Sequence, residues 1–279
     1  MTIFEAYNST KEKLEKFGIE DYVFEAKQII KHITGLNAAA ILANYNRELS
    51  QFQQNNLTAL IHQREVRYPL QYIFGEWDFY GRPYHVGPGV LVPRADTETL
   101  IDAGLEYLKE KEKPMILDLC AGSGCIGITF AREREDSLVF MVEKYDEAIN
   151  YLEKNVYKND APNAQILKGD IFDSCGADGK YDLIVSNPPY ISDDEWKEIS
   201  PETHFEPETA LKAQDGGLEF YKAITENYKN SLKNGGMLLF EVGYKQAEKV
   251  ACIMKNAGFK DIKFTKDMSG INRAVSGIY

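Results

Sequence analysis

Five residues, Met115-Ile116-Leu117-Asp118-Leu119, constrain the fold of this chain more than any other stretch. They run apolar on both sides with one acid near the end, as a strand buried on both faces of a parallel sheet does. A tight small-residue turn, Cys120-Ala121-Gly122-Ser123-Gly124, follows, and then an apolar helix over 125–131. Alternation continues: a strand over 138–142 ending at Glu143, a helix over 145–157, and a strand over 164–167 followed by Asp170. A strand over 181–186, a helix over 218–232, a strand over 237–242 and a helix over 245–256 come next. Two strands near 262–264 and 274–278 close the chain as a hairpin. Strand–helix alternation of this kind predicts an α/β fold with a doubly wound, Rossmann-like sheet.

The residues before it read differently. Leu14 and Phe17 precede Gly18, and Val23, Ala26, Ile30 and Ile33 repeat at helical spacing between a candidate Asp21 N-cap and Gly35. Ser50 is placed to cap a further helix that must end before Pro69. Residues 1–71 are therefore expected to be a small helical bundle. The glycine- and proline-broken aromatics of 72–92 suggest a β-hairpin linker, and 93–279 form the main domain. There, Thr97 or Asp96 is expected to cap a helix through Ile101, Leu105 and Leu108. His32 and His62 are isolated, and packing or solvation suits them better than catalysis.

Charge narrows the partners. The net charge is −11. Residues 1–88 hold nine basic and ten acidic side chains, so the excess of acid lies in the remainder. A surface that must neutralise phosphates is basic, so direct nucleic-acid binding is not expected, and a basic protein partner suits the chain better. The N-terminus lacks a basic segment followed by an apolar core, and no apolar run approaches the ~20 residues of a membrane span. The four cysteines form no CxxC pair. A reduced, cytoplasmic protein, away from membranes and monomeric, is the expectation.

Two segments carry chemistry. The first is the turn after Leu119. Gly122-Ser123-Gly124-Cys125-Ile126-Gly127 matches the GxGxxG dinucleotide fingerprint, but Asp118 stands just ahead of it. A carboxylate there repels a pyrophosphate and attracts an ammonium or sulfonium, and S-adenosylmethionine carries both cations and no phosphate. Read as Asp118-x-Cys120-x-Gly122-x-Gly124, the segment is the methyltransferase pattern D-x-G-x-G-x-G with Cys120 at the first glycine. That substitution is compatible only with negative φ. Glu143 ends the second strand where an acid can bind both ribose hydroxyls; the alternative is an exposed strand-end carboxylate. Asp170 is placed to accept from the adenine amino group and Ile171 to pack on the ring, although Gly-Asp is also common turn chemistry.

The second segment is Asp182-Leu183-Ile184-Val185-Ser186-Asn187-Pro188-Pro189-Tyr190. A buried strand stops at two prolines, which donate no ladder hydrogen bond and hold the preceding residues extended. The result is a stiff finger at the carboxyl end of a strand, where open α/β sheets bind ligands. The Asn187 side-chain carbonyl and the Pro188 backbone carbonyl supply two acceptors for the N–H bonds of a conjugated NH2, and Tyr190 an aromatic cover. Such bonds contribute about 1 kcal/mol each; their value lies in orientation and pre-arranged charge stabilisation.

Asn187-Pro188-Pro189-Tyr190 is shared by adenine-amino DNA methyltransferases and protein glutamine methyltransferases, both of which act on a planar NH2. The flanks are similar to the HemK-type (PrmC-type) release-factor glutamine methyltransferases of class I. These are Pro69-Leu70-Gln71-Tyr72-Ile73-x-Gly75, Pro93-Arg94-x-Asp96-Thr97-Glu98, Phe205-Glu206-Pro207-x-x-Ala210-Leu211, Asp215-Gly216-Gly217-Leu218 and Asp267-Met268-x-Gly270-x-x-Arg273. The resemblance runs from about residue 60 to the C-terminus. It implies a class I methyltransferase sheet, S-adenosylmethionine as cofactor, and the glutamine of the Gly-Gly-Gln tripeptide of class I peptide-chain release factors as substrate. It implies that Cys120, Ala121, Gly122, Ser123, Gly124, Glu143, Ile171 and Asn187 contact the cofactor, with Asp118 and Asp170 beside them. Asn187, Pro188, Pro189 and Tyr190 would grip the amide. Glu206 either shapes the pocket mouth or is a salt-bridged loop carboxylate. Ile171 stands where the family often has an aromatic, which puts adenine stacking there in question. A ribosomal-protein glutamine is the neighbouring alternative, and nucleic-acid adenine a more distant one. Direct in-line transfer without a covalent intermediate is the expected mechanism.

Overall fold

Capping chemistry sets the boundaries of the first helices. In the computed structural model, which describes residues 1–279, α1 (Ile3–Lys16) opens on a capping box between Thr2 and Glu5. The second helix, α2 (Tyr22–Thr34), ends at Gly35, whose φ of 67° places it in the left-handed region. A short helix, α3 (Ala38–Ala43), precedes α4 (Gln51–Glu65), which opens on a second capping box between Ser50 and Gln53. Asp21 makes no side-chain cap bond, and Val23 faces outward, so Ala26, Ile29 and Ile30 carry the buried face of α2. Beyond Pro69 the chain turns once more, as α5 (Leu70–Phe74), where the sequence reading began its hairpin. Ile3, Leu14, Ile29, Ile30, Leu57 and Leu60 form the core of this unit.

One compact unit comprises Met1–Gly75 together with Pro201–Phe205. Within it, Arg64 is fully buried, with Nε 2.9 Å from Glu25 Oε2 and Nη2 3.1 Å from Glu202 Oε1. Arg67 closes on the same Glu202 carboxylate at 2.6 Å. His32 stacks on Phe74 with ring centroids 4.2 Å apart, a packing role.

The other unit, Glu76–Ser200 with Glu206–Tyr279, begins with an antiparallel hairpin of β1 (Glu76–Phe79) and β2 (Arg82–His85). Phe79 and Tyr84 are buried in the same cluster as Leu100, Ile101 and Phe130, so the hairpin contributes to the core of this unit. A 3-10 turn, Ala95–Thr97, leads into α6 (Glu98–Leu108). The alternation then runs β3 (Met115–Leu119), α7 (Cys125–Glu133), β4 (Leu138–Glu143), α8 (Asp146–Lys158), β5 (Ala164–Lys168) and β6 (Tyr181–Ser186). After a long loop come a single turn, α9 (Gln214–Gly217), then α10 (Glu219–Tyr228), β7 (Leu232–Glu241), α11 (Ala247–Asn256), β8 (Lys260–Lys266) and β9 (Asn272–Ile278).

Seven strands form one sheet in the order β5-β4-β3-β6-β7-β9-β8. The first five are parallel, and β9 runs antiparallel to both β7 and β8. Tyr181–Ser186 is buried at every position, because helices cover both faces. One layer joins Leu100, Ile101, Ile128 and Phe130 to the sheet, and the other joins Tyr221, Ile224, Val250 and Met254. The chain winds from β3 through β4 to β5 on one side and returns on the other with β6. The switch point therefore lies between β3 and β6, and the loops leaving those two strands face a common crevice. No helix is long and apolar enough to cross a membrane.

Candidate active site

The turn after β3 folds around a carboxylate from the neighbouring strand. Glu143 ends β4, and its Oε2 accepts the Gly122 N–H at 2.8 Å while Oε1 accepts those of Lys144 and Tyr145 at 2.8 and 2.9 Å. Ala121 N–H donates to Val142 O at 3.0 Å, and Gly124 N–H to Ala121 O at 2.8 Å. At Gly124 (φ 80°) a Cβ would lie 2.2 Å from the Leu152 side chain, so only glycine fits. Cys120 corrects an expectation: its φ is 61°, the left-handed region that a thiol-bearing residue was expected to avoid. The turn needs that curvature whatever residue stands there.

A cavity of about 430 Å³ opens above this turn. Cys120, Ala121, Gly122 and Ser123 line it from β3, Glu143 from β4, and Asp170 and Ile171 from the loop after β5. Asn187 and Pro189 line it from the finger. Asp170 lies beside Lys144, with Oδ2 2.8 Å from Nζ, and its Oδ1 accepts the Phe172 N–H at 3.0 Å. Burial opposes its ionisation, but Lys144 and that N–H outweigh burial and hold the carboxyl below the usual range.

Five expected residues stand apart from the cavity wall. Asp118 is 0% exposed beneath the turn; its Oδ2 accepts the Gly127 N–H at 2.9 Å and its Oδ1 has no partner. It braces the start of α7 and is not part of the cavity wall. Burial pushes it up to about 8, despite the Gly127 bond, with the Glu143 charge adding to the rise. Gly124 lies against Leu152 and Ile128. Pro188 is buried. The Tyr190 hydroxyl donates to Glu241 at 3.3 Å, and its ring packs into the sheet's second core layer and not into the cavity wall. Glu206 is salt-bridged, as one of its two readings had it, and both of its partners line the cavity. It pairs with Arg94 and accepts the Val92 N–H at 2.9 Å.

Comparison with known proteins decides the family. The PrmC N-terminal domain model matches residues 5–75, and the methyltransferase small domain model matches 97–234. A Fusobacterium nucleatum protein named release factor glutamine methyltransferase is 37% identical over 96% of this chain and 77% of its own. A Thermodesulfovibrio yellowstonii protein of the same name is 35% identical over 97% of this chain and 96% of its own. The chain belongs to the release factor glutamine methyltransferase family. A methyltransferase structure from Pyrococcus furiosus shares the fold, with a TM-score of 0.51 at 18% identity, covering 82% of this chain and 98% of that one.

The roles of several residues in and behind this methyltransferase's cavity escaped the sequence reading. Phe172, 42% exposed, and Phe220 both line the cavity, with ring centroids 5.2 Å apart. An aromatic surface is thus present one residue beyond Ile171. Thr97, expected to cap α6, makes no cap bond; its hydroxyl donates to Glu241 Oε2 at 2.5 Å, while Asn187 Nδ2 lies 3.4 Å from its Oγ1. Glu241, 2% exposed, ends β7 as Glu143 ends β4. An acid closing an apolar strand was the signal available for it.

Proposed function

We propose that this methyltransferase transfers a methyl group from S-adenosylmethionine to the side-chain amide nitrogen of a glutamine, that of the Gly-Gly-Gln tripeptide in class I release factors. The observation that carries the reading is Asn187. Its side chain stands in the wall of the cavity built on the glycine turn, at the base of a finger stiffened by two prolines. The names of the relatives support the substrate.

The residues present fit the cofactor. A cavity of about 430 Å³ lies within the range of about 300–1,000 Å³ usual for small-molecule sites. Glu143 keeps one acceptor site, on Oε2, beyond its three N–H bonds, with which to accept from a ribose hydroxyl. Phe172 and Phe220 offer a flat apolar wall to adenine, beside Asp170 and Ile171. When bound, S-adenosylmethionine supplies a methyl carbon made electrophilic by its sulfonium.

Everything else falls to the chain. The Asn187 carbonyl and the Pro188 carbonyl, whose neighbours Asn187 and Pro189 both line the wall, are the two acceptors that orient the glutamine NH2. Cys120 also faces the cavity, but burial, and then the Glu143 and Asp118 charges, push its thiol far above the usual range. It stays protonated and is no nucleophile, which supports direct transfer. The helical unit, with Leu42, Phe52 and Val66 largely exposed, is the surface we assign to substrate recognition. The protein is read as a monomer that engages no nucleic acid directly, since its excess of acid lies in residues 89–279.

The test is mass spectrometry of a release factor after incubation with protein and S-adenosylmethionine. One added methyl on the glutamine of the tripeptide is expected. A methyl found instead on a ribosomal protein, or on adenine in a DNA arm, would refute the reading.

A further inference from the structure

We propose that Glu241 is a positioning residue for the transfer: acting through Thr97, it fixes which end of the Asn187 amide faces the incoming glutamine. The inference rests on the function proposed above.

An ionised carboxylate only accepts hydrogen bonds. Glu241 Oε2 takes the Thr97 hydroxyl proton at 2.5 Å, and Oε1 takes that of Tyr190 at 3.3 Å. With its one proton committed, Thr97 Oγ1 can only accept from Asn187. The amide must therefore present Nδ2 to Thr97, and the two atoms lie 3.4 Å apart. That leaves Oδ1 as the end of the amide available to a ligand, the orientation an acceptor for a glutamine NH2 requires. A flipped amide would set NH2 against NH2.

Two sequence motifs far apart in the chain hold Thr97 in place. Arg273 Nη2 lies 3.0 Å from Asp96 Oδ2, in the turn that carries Thr97, and Arg273 Nε lies 3.2 Å from Asp267 Oδ2. Asp267 Oδ1 in turn accepts the Ser269 and Ile271 N–H groups at 2.9 and 3.0 Å. Thr97 is 1% and Glu241 2% exposed, so both lie away from bulk water. Tyr221 donates its hydroxyl to the Glu241 backbone carbonyl at 3.0 Å from the α10 side.

Protonation reverses the logic. The groups that act on Glu241 are Thr97 and Asp96 from the 3-10 turn, Tyr190 from the finger, Tyr221 from α10, Cys125 from α7 and Arg273 from β9. Burial pushes Glu241 up to about 7; the Thr97 bond, Arg273 and the Tyr190 bond pull it down, and Asp96 pushes it up. Below that pH a carboxylic O–H can donate to Thr97 Oγ1. The hydroxyl proton is then free to point at Asn187 Oδ1, and the amide turns over.

Three variants test this: Glu241→Gln, Thr97→Val and Thr97→Ser, each assayed for release-factor methylation, S-adenosylmethionine affinity by calorimetry and thermal midpoint. Glu241→Gln, whose amide cannot offer an acceptor to both Thr97 and Tyr190 as the carboxylate does, is expected to lower kcat about 100-fold, as loss of one pre-aimed polar group does, with cofactor affinity unchanged. Thr97→Val is expected to follow it, and Thr97→Ser to recover most of the loss. Wild-type kcat should rise with pH through about 7, and that limb should be absent in Glu241→Gln. Wild-type kcat in Glu241→Gln, or equal losses of turnover, affinity and thermal midpoint, would overturn the proposal. A readout independent of turnover is the Asn187 side-chain NH2 resonance of 15N-labelled protein. It should shift in Thr97→Val and Glu241→Gln, and an unmoved resonance overturns the positioning role. If the wild type methylates no glutamine, the proposed function fails, and this resonance still decides the inference.

Discussion

Cys120 occupies a backbone conformation that suits glycine. At φ 61° its Cβ crowds the following carbonyl, a strain of about 1–2 kcal/mol for an L-residue. The methyltransferase pattern identified the position from sequence, but not its dihedral, because φ follows from the way Glu143 and Val142 draw the turn onto β4. Cys120→Gly is expected to stabilise the fold by about 1 kcal/mol after the greater chain entropy of glycine is discounted. For a domain of this size that raises the thermal midpoint by about 2–4 °C. Differential scanning calorimetry measures it; a lowered midpoint would mean that packing of the thiol outweighs the strain. At the same scale, the place of Asn187, Glu143 and Ile171 at the cavity wall was legible from where they fall after apolar runs. Tyr190 and Asp118 were misread, because the direction of a side chain depends on strand register and on partners over 50 residues away or behind the turn.

Among the elements, the finger is held by contacts that no local pattern announces. Tyr190 N–H donates to Leu211 O at 3.0 Å, and Gln246 Nε2 donates to Tyr190 O at 2.9 Å. Gly217 (φ 84°) passes beneath it, where a Cβ would stand 2.2 Å from Tyr190 O and 2.5 Å from Gln246 Nε2. Its neighbour Gly216 (φ 61°) has nothing within 4 Å. The two glycines of one motif therefore do different things. Gly216→Ala is expected to cost about 1 kcal/mol of backbone strain and leave turnover close to wild type. Gly217→Ala adds a steric collision to the same strain, for a loss of about 2–3 kcal/mol, and displaces the finger, so kcat falls as well. Urea denaturation alongside turnover separates them; equal effects would show that Tyr190 and Gln246 yield to the methyl. The alternation of strands and helices was readable because both faces of each strand are covered. The role of the 190–217 loop was not, since its hydrogen bonds join segments distant in sequence.

For the whole molecule, the buried acids determine how stability depends on pH. Asp118 rises from an ordinary 3.8 to about 8 and Glu241 from 4.5 to about 7, both chiefly through burial. A carboxyl whose folded pKa is raised binds its proton more tightly in the native state. Its stabilising contribution is complete below the unfolded pKa and is lost as pH rises through the folded value. Asp170 and Asp267 act in the opposite sense. Burial opposes their ionisation, but Lys144 and the Phe172 N–H for the first, and the Ile271 N–H and Arg273 for the second, hold them low. The stability they contribute is lost as pH falls below the ordinary carboxylate range. The protein should therefore be most stable on the acid side of neutrality and lose stability steadily from about pH 5 to about pH 8, the window of Asp118 and Glu241. Asp118→Asn keeps an acceptor for the Gly127 N–H but cannot ionise, so it should flatten that slope even where it lowers absolute stability by burying an NH2 without a partner. Urea titrations at several pH values measure the slope for both proteins. A wild-type curve that rises from pH 5 to 8, or an Asp118→Asn curve parallel to it, would show that Asp118 does not carry the proton this fold assigns to it.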